Sequence, residues 1–203
     1  MPTGYQIKEQ DRAYFVTLQI VNWVDVFTRQ KYRDMIVENL AYCQKHKGLE
    51  LFAWVIMSSH LHLMLRSANG ELSDFLRDFK SYTSKIILAE IETSTESRKD
   101  WMLRIFKDAA FAHKRNSDYQ FWTHENHAEV LLSNKFIEQK MEYIHNNPVR
   151  SGIVSNPTEY RYSSASAYAD EKGMLDIIVL ERQWKTYTQG KMPVIPSVAG
   201  RNA

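Results

Sequence analysis

The feature that most constrains the fold is a pair of apolar stretches separated by only two serines. LELFAWVIM (49–57) is nearly continuous in apolar residues, and HLHLMLRS (60–67) follows it directly after Ser58 and Ser59. Both stretches have the length and composition of strands, and the first is apolar enough to be buried on both faces. A connection this short cannot cross over a sheet, so the two strands must pair antiparallel.

The elements around this hairpin predict the fold class. The stretch AYFVTLQIV (13–21) has the β-branched and aromatic residues of a strand, and apolar residues at helical spacing follow over 28–47, up to a stop at Gly48. Residues 71–91 form a second amphipathic pattern. The order βαββα predicts an α+β fold, a ferredoxin-like or RRM-like antiparallel sheet with helices on one face.

The rest of the chain predicts two more helices and a fourth strand. Residues 101–115 have a helical pattern, and the fourth strand lies either at 119–123 or at 128–132. A last helix begins after Ser133, a suitable N-cap. We expect it to end at Pro148, because the residue before a proline disfavours the α conformation.

Length and composition predict one cytoplasmic domain. The chain has 203 residues, 44% of them hydrophobic, and a net charge of +2, which is too small to demand a polyanionic partner. We expect a single domain over 1–180, with a basic helical insert at about 92–118, and a C-terminal extension or tail over 181–203. No apolar run is long enough to span a membrane, and the amino terminus does not resemble a signal peptide. A single cysteine, Cys43, fits a reducing compartment.

Two histidines of the hairpin are the first candidate site. Side chains two residues apart on a strand project from the same face, so His60 and His62 point together while Leu61 and Leu63 point the other way. Their imidazoles can therefore bind one metal ion. The alternative is that the polar face of a half-buried strand carries two histidines without a ligand.

Two blocks of sequence resemble a known family. WVIMSSHLHLMLRS (54–67) is similar to the strand–turn–strand of the HUH endonuclease superfamily, in which two histidines flank one hydrophobic residue. MEYIHNNPVRSGIV (141–154), followed by NPTEYRYSSASAY (156–168), resembles the signature of REP-associated tyrosine transposases, which are relatives of insertion-sequence transposases. The similarity covers roughly residues 10–170. It implies the HUH endonuclease fold and an enzyme that cuts and rejoins single-stranded DNA through a covalent link to tyrosine.

The resemblance also implies the site residues. Tyr143 would be the nucleophile and would leave a 5′-phosphotyrosine and a free 3′-hydroxyl, while His60, His62 and Asn147 would hold a divalent metal, magnesium or manganese. Tyr143 and Asn147 lie one helical turn apart, so their side chains share a face. A phenol, with a usual pKa of about 10, is a poor nucleophile at neutral pH, which is why the phosphodiester needs activation. Two observations leave alternatives open: Tyr143 lies at the edge of an apolar stripe and fits a core aromatic, and Asn147 directly precedes Pro148.

Basic and aromatic residues predict the DNA contacts. The expected partner is single-stranded or hairpin DNA, bound by a monomer or a homodimer. Candidate phosphate contacts are the cations of the second helix, of the segment after it and of the helix that carries Tyr143: Arg77, Lys80, Lys85, Arg104, Lys107, Lys114, Arg115 and Lys140. Candidate surfaces for stacking of unpaired bases are Trp101, Tyr119, Phe121 and Trp122. The alternatives are that these cations only face water and that Phe121 and Trp122 belong to the core.

Two other classes of function remain open from the sequence. A ferredoxin-like sheet with exposed aromatics is also typical of a non-catalytic module that binds single-stranded nucleic acid without a metal. A metal-dependent hydrolase of a small phosphorylated molecule would use His60 and His62 with a general base, and would form no covalent adduct.

Overall fold

The computed structural model of the chain describes residues 6–112 and 118–180. The expected tail at 181–203 and two of the candidate DNA contacts, Lys114 and Arg115, lie outside this part. No helix within the described ranges is long and apolar enough to cross a membrane.

A four-stranded sheet in the order β2-β3-β1-β4 forms the centre of the fold, with each strand antiparallel to its neighbours. The strands are β1 (Tyr14–Gln19), β2 (Leu49–Ile56), β3 (His60–Ser67) and β4 (Glu129–Val130). The predicted hairpin is β2 and β3, and β3 is also paired with β1. The α+β fold class predicted from the sequence is confirmed.

Within residues 6–112 and 118–180, four α-helices accompany the sheet: α1 (Gln30–His46), α2 (Leu72–Thr93), α3 (Lys99–Ala112) and α4 (Asn134–Arg150). Helices α1 and α2 pack against β2 and β3, and α4 packs against the same two strands. Tyr143 of α4 lies against His62, so α4 covers the histidine face of the sheet. The helices therefore lie on both faces of the sheet, and not on one face as the sequence predicted. The fully buried Leu61 and Leu63 point the other way, into the layer formed by α1 and α2.

Of the two candidates for the fourth strand, the segment 128–132 contains it. β4 is only two residues long and pairs with Tyr14 and Phe15 at the start of β1. The first candidate, 119–123, also approaches the sheet, because Trp122 forms an isolated bridge with Ile20 just after β1. The two segments therefore cover successive parts of the same edge.

The expected end of the last helix at Pro148 is wrong. Ser133 Oγ accepts a hydrogen bond from the Phe136 backbone, as an N-cap does, but α4 continues to Arg150. Pro148 is buried in the last turn, where it removes one intrahelical hydrogen bond without ending the helix. The helix ends instead in a Schellman motif at Gly152, whose φ is +69°. Asn147 is therefore helical and shares a face with Tyr143.

We expect Gly152→Ala to lower the free energy of unfolding by about 1 kcal/mol, because an alanine in the left-handed region carries a steric cost that glycine does not. For a protein of this size the melting temperature should fall by about 2–4 °C. Gly173→Ala is the matched control, because Gly173 does not have a positive φ and an added Cβ meets only ordinary contacts there. Equal melting temperatures for the two variants would contradict this account of the helix end.

Candidate active site

Strand β3 places both histidines on the face of the sheet that α4 covers. His60 pairs with Gln19 and His62 pairs with Thr17, so both lie on a strand that is hydrogen-bonded on each side. The centroids of the two imidazole rings are 4.7 Å apart. The central position of β3 thus holds two imidazoles side by side with little freedom to separate.

His62 has the surroundings of a metal ligand. Its side chain is almost entirely buried, with 4% of its surface exposed, and it stacks on Phe15. A hydrogen bond of 2.9 Å joins His62 Nδ1 to Thr17 Oγ1, while the buried Nε2 has no hydrogen-bond partner among the described residues. In the tautomer in which Nδ1 donates to the hydroxyl, the Nε2 lone pair is available to a metal.

Burial keeps both imidazoles neutral. Loss of solvent lowers the pKa of His62 to about 3, with further contributions from His60 and Lys140. Burial also lowers the pKa of His60 to about 4. Neutral imidazole is the form that binds metal, so neither histidine has to lose a proton near neutral pH before it can act as a ligand.

Tyr143 comes to the histidines from α4 of the same chain. The buried side chains of Met141 and Ile144 fix the orientation of the helix, and Tyr143 is left half-buried at the edge of the core. Its ring centroid lies 5.0 Å from that of His62 and 6.1 Å from that of Phe15. The structure thus brings together the histidine pair and the tyrosine that the sequence singled out.

The third expected ligand, Asn147, lies half-buried on α4, one turn beyond Tyr143. Within residues 6–112 and 118–180, no group of three histidine, cysteine, aspartate or glutamate side chains is arranged to hold a metal. A metal held by His60 and His62 would therefore take its remaining ligands from other oxygen donors, and the Asn147 amide is of that type.

A cavity of about 430 Å³ lies beside Tyr143, with His62, Lys140 and Arg150 among its lining residues. Lys140 Nζ forms a 2.6 Å ion pair with Glu129 and lies 4.2 Å from the centroid of the Phe15 ring. The Arg150 guanidinium lies 5.8 Å from the Tyr143 ring and has no carboxylate partner in the described part of the chain. Sequence reasoning missed Arg150, although its position seven residues after Tyr143 places it on the same face of the helix.

Two of the other predicted DNA contacts have partners inside the protein. Lys80 donates hydrogen bonds to the Thr123 carbonyl and to Asn126 Oδ1, and burial lowers its pKa to about 8. Its ammonium therefore joins α2 to the segment that precedes β4. Arg77 is exposed and forms ion pairs with Asp74 and Asp78.

The remaining basic and aromatic candidates divide by exposure. Lys85, Arg104 and Lys107 are exposed on α2 and α3. Trp101 is also exposed, whereas Phe121 and Trp122 are buried, as the alternative of a core position predicted. The exposed members of both sets lie on α2 and α3, not on the helix that carries Tyr143.

Comparisons with known proteins point to one family. The family model described as "Transposase IS200 like" matches residues 13–147. The solved structure of a REP-associated tyrosine transposase bound to a REP hairpin aligns with 92% of this chain and 99% of that chain, at 14% sequence identity and a TM-score of 0.57. At this identity the likeness concerns the fold, and the expected HUH endonuclease fold is confirmed. Comparison with curated proteins gives no match.

The buried histidines predict a pH-dependent stability of the metal-free protein. Because folding lowers both pKa values from the ordinary 6.5, the unfolded chain takes up protons first as the pH falls. The stabilisation from the neutral histidines is complete above pH 6.5. It is lost as the pH falls toward the folded-state pKa values, about 4 for His60 and about 3 for His62. The free energy of unfolding should fall by up to about 1.4 kcal/mol per pH unit for His62.

The measurement is urea unfolding in the presence of a chelator, between pH 7.5 and 5. His62→Gln should reduce the slope with pH, and the control His46→Gln, at an exposed position on α1, should leave the slope unchanged. If wild type and His62→Gln show the same slope, the imidazole of His62 is not held neutral by burial.

Proposed function

The chain belongs to the IS200-like transposase family, and we propose that it cuts and rejoins single-stranded DNA with Tyr143 as the nucleophile. Transposases of this family are DNA-cleaving and rejoining enzymes. The observation that carries the proposal is the 5.0 Å approach of the Tyr143 ring to His62, a buried histidine with an unpartnered Nε2. A tyrosine and a potential metal site thus face the same small volume.

In the proposed step, the Tyr143 oxygen attacks a phosphodiester phosphorus in line with the bond to the 3′-oxygen. The bond between phosphorus and tyrosine forms as the bond between phosphorus and the 3′-oxygen breaks. The phenol gives up its proton to solvent, and the departing 3′-oxygen takes one up. The 5′-phosphotyrosine retains the ester bond, so the 3′-hydroxyl of another strand can reverse the step without ATP.

His60, His62 and Asn147 are the residues that would hold a divalent ion, magnesium or manganese. Bound there, the ion would supply Lewis-acid activation of the phosphodiester. Thr17 orients the His62 ring through Nδ1, and Phe15 supports the ring from below.

The cations around the cavity are placed to receive the DNA backbone. Arg150 and Lys140 line the cavity beside Tyr143, together with Glu129 and Glu142. Because Lys140 is paired with Glu129, Arg150 is the cation that we propose to meet a phosphate there first. We propose that Lys85, Arg104 and Lys107, which are exposed, add contacts to more distant phosphates. Lys80 is left out of this set because its ammonium is engaged within the protein.

The substrate that we propose is a DNA hairpin with a single-stranded flank. The solved structure with a similar fold is bound to a REP hairpin, which supports this choice. We further propose that the enzyme acts in the cytoplasm. One chain supplies the histidines and the tyrosine, so the proposal needs no second subunit.

Tyr143→Phe should abolish a covalent protein–DNA adduct while leaving DNA binding within about twofold of wild type, because it removes only the attacking oxygen. Labelled hairpins with single-stranded flanks, drawn from DNA that flanks the protein's own gene, are incubated with protein and manganese and resolved on a denaturing gel. Tyr82→Phe, at an exposed position on α2, is the control and should retain the adduct. An adduct formed by Tyr143→Phe would refute the role of Tyr143. DNA binding without any adduct from wild type would favour the non-catalytic binding module.

Removal of the metal ligands should weaken both manganese binding and adduct formation. His60→Ala and His62→Ala should each weaken manganese binding at least about tenfold, since each removes a ligand donor. Asn147→Ala should have a smaller effect, because water can replace an amide oxygen. Electron paramagnetic resonance of Mn²⁺ measures binding without DNA, and a chelator should stop adduct formation. His46→Ala is the control, and unchanged manganese binding by His62→Ala would rule out the site.

A further inference from the structure

The turn that follows β1 exposes a tryptophan between buried neighbours. Ile20, Val21 and Val24 are buried, whereas Asn22 is exposed and 60% of the Trp23 surface is accessible to solvent. The chain therefore turns its largest apolar side chain outward and its smaller ones inward. Burial of apolar surface favours the opposite arrangement.

The backbone of this turn is strained. Asn22 has a φ of 52° and Trp23 a φ of 56°, so two consecutive residues other than glycine occupy the left-handed region. For a bulky residue this conformation is an outlier that persists only where the surroundings enforce it. The surroundings do so here through hydrogen bonds on both sides of the turn, from Ile20 N to Ser59 O before it and from Phe27 N to Ser58 O after it, each 2.9 Å long.

The exposed ring lies against the histidine site. The Trp23 ring meets the His60 ring edge-on, with 5.5 Å between their centroids. The rings of Trp23, His60, His62 and Tyr143 thus follow one another in a row, with neighbouring centroids 5.5, 4.7 and 5.0 Å apart. Trp23 is at one end of the row and Tyr143 is at the other.

We propose that Trp23 is a stacking platform for an unpaired base, that of the nucleotide immediately 5′ of the cleaved phosphate. The assignment of this base to the 5′ side of the cleaved phosphate rests on the proposed function. In an in-line displacement the departing 3′-oxygen lies opposite the attacking oxygen. With Tyr143 at one end of the row and the phosphate at the histidines, the nucleotide that keeps the 3′-hydroxyl extends toward Trp23.

A flat, exposed indole fits this ligand. Every base has a π face, so the platform accepts an unpaired base of any identity and disfavours one that remains paired in a duplex. It would hold the 3′-hydroxyl nucleotide near the site between cutting and rejoining. The other exposed tryptophan of the described residues, Trp101 on α3, has no ring contact with the histidines and provides a matched control.

Scanning with abasic sites tests the inference. All variants carry Tyr143→Phe, and a chelator is present, so that no DNA is cleaved. Fluorescence anisotropy measures the affinity for the hairpin oligonucleotide that binds most tightly. The affinity is then measured for copies of this oligonucleotide that each lack one base. Trp23→Ala should weaken binding of the intact oligonucleotide at least about tenfold, and Trp23→Phe should weaken it less. Trp101→Ala should not abolish the effect of removing the base that stacks on Trp23. Removal of one particular base should weaken binding by the protein that carries Tyr143→Phe alone. The same removal should not weaken binding further when Trp23→Ala is also present.

The position of that base decides the second part of the inference. In oligonucleotides that wild type cleaves, the base coupled to Trp23 should lie immediately 5′ of the cut. A coupled base elsewhere, or an abasic effect that Trp23→Ala and Trp101→Ala share equally, would overturn it.

Adduct formation by wild type is scored separately, so a failure of the platform leaves the tyrosine chemistry intact. Coupling without any adduct would retain the base site and reject the proposed function. Trp23→Phe keeps a ring in the turn, so its binding stays informative if Trp23→Ala folds poorly.

Discussion

Strand β3 is hydrogen-bonded on both sides, to β1 and to β2, and this double pairing fixes the face that each of its side chains occupies. Leu61, Leu63 and Leu65 are fully buried on one face. A slip of one residue would drive both histidines into the layer of α1 and α2 and bring the leucines to the site. The same apolar burial that stabilises the sheet therefore sets the register of the imidazole pair.

Burial also determines the charge of the site. His60 and His62 are neutral because burial lowers their pKa values, while the cations of Lys140 and Arg150 lie at the cavity beside Tyr143. Two carboxylates, Glu129 and Glu142, line the same cavity, and Lys140 holds Glu129 in an ion pair. The two imidazoles are therefore uncharged, and Arg150 is the cation of the cavity lining that has no carboxylate partner in the described part of the chain, so it is the group best placed to attract a phosphodiester.

The sequence predicted those parts of the fold that periodicity determines, namely the hairpin, the helices and the shared face of the histidines. It could not choose the fourth strand, because the two residues of β4 are too few for an alternating pattern. Pro148 was a misleading stop signal, and Gly152 was the informative one. Lys80 looks like any surface lysine in the sequence, since its partners lie more than forty residues away along the chain. The outward turn of Trp23 likewise depends on pairing with distant backbone.

The attachment of α4 bears on which chain's tyrosine meets the histidines. Met141 and Ile144 are buried against the sheet, and Lys140 pairs with Glu129 of β4. For Tyr143 to serve a second chain, α4 would have to leave these contacts and make the same ones on that chain. The segment after α4 adds a further tie, because Ser163 forms a bridge with Val55 at the outer edge of β2. In the described chain, one tyrosine lies beside the histidine pair of the same chain. Because one tyrosine can hold only one strand at a time, a second cut must wait until a 3′-hydroxyl has released the first.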